Sequence, residues 1–315
     1  MLGIKDIDVS KISSDTILVL RRLTPTLAIQ LDSTKIRGVV TEFGGRNSHS
    51  AIIMRMLEIP AVFGVVGCLD FIQDDDVAII DGTDGTVFIN PRGTTYKKYQ
   101  EKMQIELEEK RKLKDFLTKE TLTKDGQKVQ LLGNIEKASD VLKVLENGGE
   151  GVGLFRTEFL FVDRTTLPNE DEQFEAYKKA AIQLDGKPLV IRTLDIGGDK
   201  QIEYLGLGGE PNPFLGYRAI RFSLDRMDIF QTQLRAILRA SAYGKVSVMI
   251  PMVTSIEEIR RAKTILNLIK EELESCNIPF DKDISFGVMI ETPAAALLID
   301  IFAKEVDFLA LERMI

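Results

Sequence analysis

Pro188-Leu189-Val190-Ile191-Arg192-Thr193-Leu194-Asp195 is a short apolar, β-branched run that turns polar at its carboxyl end. Such a run, with no alternation of apolar and polar residues, fits a strand buried on both faces, as in a parallel sheet. Two similar runs precede it, Val129-Gln130-Leu131-Leu132 and Gly151-Val152-Gly153-Leu154-Phe155. Three follow it: Val246-Ser247-Val248-Met249-Ile250, Phe286-Gly287-Val288-Met289-Ile290 and Val306-Asp307-Phe308-Leu309. Longer amphipathic stretches lie between them, so the pattern predicts an α/β fold with a parallel sheet covered by helices. The long separations favour a (β/α) barrel over a compact open sheet. Only about six strand signals fit before Ile315, so the eight-stranded barrel of the TIM type is expected to be incomplete.

In a barrel, polar residues at the carboxyl ends of the strands form the active site. Here those ends read Arg156-Thr157-Glu158, Arg192-Thr193-Leu194-Asp195 and Glu291-Thr292. Two arginines and a carboxylate suit an anionic substrate and a hard cation. Each arginine taken alone reads as a surface ion pair of little consequence.

Upstream, the text from Met1 to about Pro91 alternates short strand-like runs with turn signals, as in Thr16–Leu20, Gly38–Val40, Val77–Ile80 and Thr86–Ile89. The last two flank Asp81-Gly82-Thr83-Asp84-Gly85, a turn-rich linker of hairpin type. Ser50 to Leu57 reads as a helix, which makes this a small α/β domain. Tyr96 to about Glu120 is rich in Lys and Glu and free of Gly and Pro, with a thin stripe of Met103, Leu107, Leu113 and Leu117. It reads as a solvated helical connector. The expected domains are therefore 1–95, a linker over 96–127, and a partial barrel over 128–315.

The chain has 315 residues, 41 Lys plus Arg against 48 Asp plus Glu, and a formal net charge of −7. That acidic balance argues against a nucleic-acid partner, which needs a basic face. Cys68 and Cys276 are too few and too far apart for a disulfide framework, which suits a reducing cytoplasm. The amino-terminal residues do not read as a signal peptide, and no apolar run is long enough for a membrane span.

Gly44-Gly45-Arg46-Asn47-Ser48-His49-Ser50 lies between a strand signal and a helix and holds the single histidine of the chain. Two glycines let backbone approach a phosphate, and the helix start directs N–H groups and a positive dipole end towards an anion. Free imidazole titrates near pH ~6.5, so an unprotonated ring nitrogen is available as a nucleophile. A lone histidine is ordinarily structural or incidental; its loop is what favours phosphate chemistry for His49.

The run from Gly44 to Gly64, GGRNSHSAIIMRMLEIPAVFG, resembles the phosphohistidine signature of phosphoenolpyruvate-utilising enzymes. GVGLFRTEFLFVDR (151–164), RTLDIGGDK (192–200), NPFLGYRAIR (212–221) and GVMIETPAAA (287–296) narrow the resemblance to the Enzyme I family of the sugar phosphotransferase system. Pyruvate phosphate dikinase and phosphoenolpyruvate synthase share the histidine loop and barrel plan, but the run from Arg192 to Lys200 is closer to Enzyme I. The resemblance implies that His49 is the phosphorylated nucleophile. Arg156 and Arg192 would grip the phosphate and carboxylate of phosphoenolpyruvate, with Arg218 assisting, and Glu291 would be one of two magnesium ligands. It also implies a cytoplasmic, homodimeric enzyme that hands its phosphoryl group to the phosphocarrier protein HPr. Asn47 departs from the family's usual threonine but keeps a polar side chain.

Both ends are short of the family's pattern. An amino-terminal strand and the helical domain that docks HPr are missing. After Glu-Val-Asp-Phe the family continues F-S-I-G-T-N-D-L-T, which carries the second magnesium ligand. With its preceding Phe, that text can be written TTT TTT AGC ATT GGA ACG AAT GAT TTA ACN; stripped of one T, it translates to Phe-Leu-Ala-Leu-Glu-Arg-Met-Ile and a stop, matching Phe308 to Ile315. A one-base frameshift is the expectation, and with it an open barrel and little phosphoryl transfer. The alternative is a non-catalytic remnant or a dimerising partner of an intact copy.

Overall fold

The computed structural model describes residues 12–46, 48–117, 119–162, 164–197 and 215–312. The chain divides into two compact units, Met1–Lys114 and Asp115–Ile315.

In the first unit β1 (Thr16–Arg22), β2 (Ile36–Phe43) and β3 (Ala61–Phe63) form a parallel sheet in the order β1-β2-β3. The connections are α1 (Pro25–Ile29) and α2 (His49–Met56). Leu18, Leu20, Ile36, Val39, Ala28 and Met54 bury the face between them. A short helix, α3 (Cys68–Phe71), leads to β4 (Ala78–Asp81) and β5 (Thr86–Ile89), an antiparallel pair as the turn-rich linker predicts. Asp81 shapes that turn, its Oδ1 accepting from the backbone N–H groups of Thr83 at 3.0 Å and Asp84 at 3.1 Å. The Lys/Glu-rich stretch is α4 (Gly93–Lys114), with no buried residue. It starts before Tyr96 because Gly93 and its neighbours continue the helix. Lys102 ties it to Asp81, and Lys110 pairs with Glu58 at 2.9 Å.

The second unit carries β6 (Gly133–Ile135), β7 (Val152–Arg156), β8 (Leu189–Arg192), β9 (Val246–Ile250), β10 (Ser285–Ile290) and β11 (Phe308–Leu311). They form one parallel sheet in strictly sequential order. Every crossover therefore steps in the same direction, as in a barrel; a doubly wound sheet reverses its order partway. Six strands are seen among the described residues, and β6 and β11 are its edges, so the sheet is a partial barrel.

The helices are α5 (Asp140–Glu146), α6 (Glu170–Gln183), α7 (Ile220–Asp225), α8 (Met227–Ser241), α9 (Ile256–Ser275), α10 (Pro293–Leu297) and α11 (Ile299–Phe302). Capping boxes start two of them, Asn169 with Glu172 on α6 and Ser255 with Glu258 on α9. Phe155, Ile191, Val248 and Val288 pack one sheet face into the large core with the helices. Leu154, Met249 and Met289 form a smaller cluster with Val190, Phe308 and Ala310 on alternate positions. Burial on both faces is why these strands read as continuous apolar runs.

One strand is misplaced by its sequence. Val129-Gln130-Leu131-Leu132 is not the first strand; β6 lies just beyond it, at Gly133–Ile135. Val129 and Leu131 are exposed, at 43% and 53%, while Ile135 is 1% exposed. Strand pairing with β7 begins only at Gly133, whose N–H donates to Gly151 O at 2.9 Å.

Candidate functional site

The first unit sets the histidine at a helix start. Ser48 is the N-cap of α2, with its Oγ accepting from Ala51 N–H at 3.2 Å, so His49 is the first helical residue and is exposed. Ser50 faces the other way and anchors the turn, its Oγ donating to Leu23 O at 2.7 Å. Arg55 reaches back from α2 to donate to Arg46 O at 3.0 Å, closing the loop. Gly44 has φ +140°, and a Cβ there would come within 3.0 Å of the Phe63 ring, so both backbone and space require glycine. Asn47 lies outside the described residues.

The second unit gathers its charges at the carboxyl ends of the strands. Arg156 and Arg192 end β7 and β8 and are register partners. Arg156 is half-buried, and its side chain has no hydrogen bond or ion pair among the described residues. Arg192 is buried and donates from Nη2 to Glu158, which is 1% exposed; Nη1 lies 3.3 Å from Asp195 Oδ2 and 3.7 Å from Glu312 Oε2. Arg218 closes on the same Asp195, donating to Oδ1 from Nε at 2.9 Å and Nη2 at 2.7 Å. Asp195 therefore bridges two guanidinium groups.

Burial disfavours the charge on Arg192, but Glu158 and Asp195 outweigh that and raise its pKa. Without them a guanidinium this deep costs several kcal/mol. Even so, Arg192 Nε and Glu158 Oε2 have no hydrogen-bond partner among the described residues. Buried groups of this kind are ordinarily satisfied, so the pair marks a place for a ligand or water.

Glu291 follows β10 by one residue, and its Oε1 accepts from Met252 N–H at 2.6 Å. Burial pushes the Glu291 carboxyl upward, and the carboxylates of Asp195 and Glu312 add to this. The Met252 N–H and Arg192 act against the rise. A hard cation would favour the charged form.

Of the residues singled out by sequence, Arg156, Arg192, Arg218 and Glu291 belong to the second unit and His49 to the first. Arg192 and Arg218 meet on Asp195, and Glu291 lies within electrostatic reach of Arg192. Motif residues 198–200 and 212–214 lie outside the described residues. Glu158 and Asp195 lie at strand ends in the sequence, and the family resemblance assigns neither a role. Their only signal was position, two and three residues past an arginine that ends a strand.

Two family profiles match the chain. "PEP-utilising enzyme, PEP-binding domain" covers residues 110–312, and "PEP-utilising enzyme, mobile domain" covers residues 12–85. Curated relatives named phosphoenolpyruvate-protein phosphotransferase align with 99% of the chain: 48% identical in Bacillus subtilis (strain 168), 46% in Mycoplasma capricolum and 45% in Priestia megaterium. The chain spans about 55% of the length of the first of these and 54% of the other two. The protein belongs to the phosphoenolpyruvate-utilising enzymes, and over nearly its whole length it is similar to their phosphoenolpyruvate-protein phosphotransferases.

Proposed function

We propose that the second unit binds phosphoenolpyruvate and that His49 accepts its phosphoryl group. The observation that carries this reading is the arginine set: Arg156 and Arg192 at adjoining strand ends, the second buried with an unpartnered Nε, and Arg218 drawn to Arg192 through Asp195. Guanidinium forks match phosphate and carboxylate geometry, and phosphoenolpyruvate presents both groups. Arg156 and Arg192 would take the phosphate and carboxylate, with Arg218 held by Asp195 beside them.

In the transfer, a ring nitrogen of His49 forms a bond to phosphorus as the bond from phosphorus to the enol oxygen breaks. The leaving enolate then takes up a proton to become pyruvate. Little covalent chemistry falls to the protein, so positioning and charge stabilisation dominate. The α2 amino terminus favours the phosphorylated histidine through its free N–H groups and dipole. The family description "mobile domain" over residues 12–85 supports His49 as a carrier that collects phosphate at one place and delivers it at another.

Magnesium fits the residues present in a limited way. Glu291, a half-buried carboxylate crowded by Asp195 and Glu312, is the side chain that would hold it, and magnesium commonly takes one or two carboxylates plus substrate oxygens. Among the described residues no group of three metal-ligating side chains gathers. When bound, the ion would neutralise substrate charge. Delivery to HPr, by the sequence resemblance, completes the proposed function.

Calorimetric titration of the chain with phosphoenolpyruvate, with and without magnesium, tests the site; saturable binding is expected, and its absence would remove the reading. Labelled phosphoenolpyruvate plus magnesium should leave acid-labile label on the chain, all of it lost in His49→Ala. Label surviving in His49→Ala would overturn the role of His49.

A further inference from the structure

Gln233 lies on α8, outside the sheet, yet it is 0% exposed. A buried primary amide is costly unless its donors and acceptor are met. Here they are met by the two strand ends that carry the arginines and by Tyr177 of α6. Gln233 Oε1 accepts from Leu194 N–H at 2.8 Å, two residues past Arg192. Its Nε2 donates to Thr157 Oγ1 at 3.1 Å, one residue past Arg156, and to Tyr177 Oη at 3.2 Å.

The direction of each bond is set. A backbone N–H can only donate, so Oε1 must face Leu194. Thr157 Oγ1 donates its proton to Arg192 O at 2.9 Å, and Tyr177 Oη donates to Gln173 Oε1 at 3.2 Å, leaving both hydroxyl groups as acceptors for Nε2. Gln173 Nε2 ends the chain on Pro168 O at 3.2 Å. Glutamine alone among side chains of this length supplies one acceptor and two donors at one planar tip.

We propose that Gln233 is a positioning residue for the arginine site. Its amide fastens the end of β7 to the end of β8, which fixes the spacing of Arg156 and Arg192 and the start of the turn bearing Asp195. It touches no substrate and acts through Thr157, the Arg192 carbonyl and Leu194 N–H. The inference rests on the reading of that site as the phosphoenolpyruvate site.

The test uses the full chain and three variants: Gln233→Met, which keeps length and removes polarity; Thr157→Val, which breaks the same link without touching α8; and Thr157→Ser, which keeps the hydroxyl. Two quantities are measured, phosphoenolpyruvate affinity by calorimetry and the Nε–H resonances of Arg156 and Arg192 by NMR. Gln233→Met and Thr157→Val should weaken binding by about 10- to 100-fold, as small misplacements of a binding group do, and shift both resonances. Thr157→Ser should restore parental values. If the first two variants melt earlier but keep parental affinity and resonances, Gln233 is only a core residue and the proposal is overturned. Should Gln233→Met not fold, Thr157→Val decides alone. Should the parent bind no phosphoenolpyruvate, the functional reading falls, while unmoved resonances overturn the positioning role and shifted ones support it.

Discussion

Asp195 holds Arg218 by two nitrogens on a single carboxylate oxygen, Nε at 2.9 Å and Nη2 at 2.7 Å. Its second oxygen lies 3.3 Å from Arg192, so one buried carboxylate sets the distance between two arginines from separate parts of the chain. An unpaired carboxylate beside an anion site ordinarily lowers anion affinity by repulsion. With both oxygens committed to guanidinium groups, the repulsion is largely spent and the ordering of the arginines remains.

Asp195→Asn should therefore destabilise the second unit by about 3 kcal/mol, since removing one partner leaves buried charge uncompensated. Urea unfolding measures it. A loss below about 0.5 kcal/mol would mean that the cluster behaves as an exposed ion pair.

Arg192→Lys should raise the dissociation constant for phosphoenolpyruvate about tenfold or more, because one ammonium replaces a planar fork. It should destabilise less than Arg192→Met, which strips Glu158 of its cation. Equal losses of stability in the two variants would show that charge is not what Arg192 supplies.

Gly197→Ala should disturb Arg218 from a distance. Gly197 has φ +139°, and a Cβ there would lie 2.3 Å from Arg218 Cβ and 2.9 Å from its Cα. The strain is worth about 1–3 kcal/mol and should appear together with weaker substrate binding. Parental melting and affinity would show that the turn simply yields.

Glu291→Gln should alter stability with pH. Burial and neighbouring carboxylates raise the folded pKa of Glu291, so its contribution to stability is full below the unfolded value of about 4.3 and lost as pH rises through the folded one. Relative to the parent, the variant should gain in melting temperature as pH rises above about 4.3, by about 2–4 °C for each kcal/mol relieved. Magnesium should raise the melting temperature of the parent more than that of the variant. A difference that does not change with pH would contradict this account.

Much of the fold was legible because β8, β9 and β10 are buried on both faces and so carry continuous apolar text. β6 was not, because Gly133-Asn134-Ile135 holds one apolar residue and owes its place to pairing with β7. His49, Arg156, Arg192, Arg218 and Glu291 stood out through motif text and strand-end position.

Strand periodicity, the glycine-led histidine loop and the strand-end places of Arg156, Arg192 and Glu291 are written in the residues alone. Those are local properties of backbone preference and burial. That Asp195 joins Arg192 to Arg218, that Glu158 neutralises Arg192, and that Gln233 fastens two strand ends from a helix emerges only once the chain is folded. Each of these depends on groups far apart in the chain meeting where water is excluded, and such meetings leave no periodicity in the text.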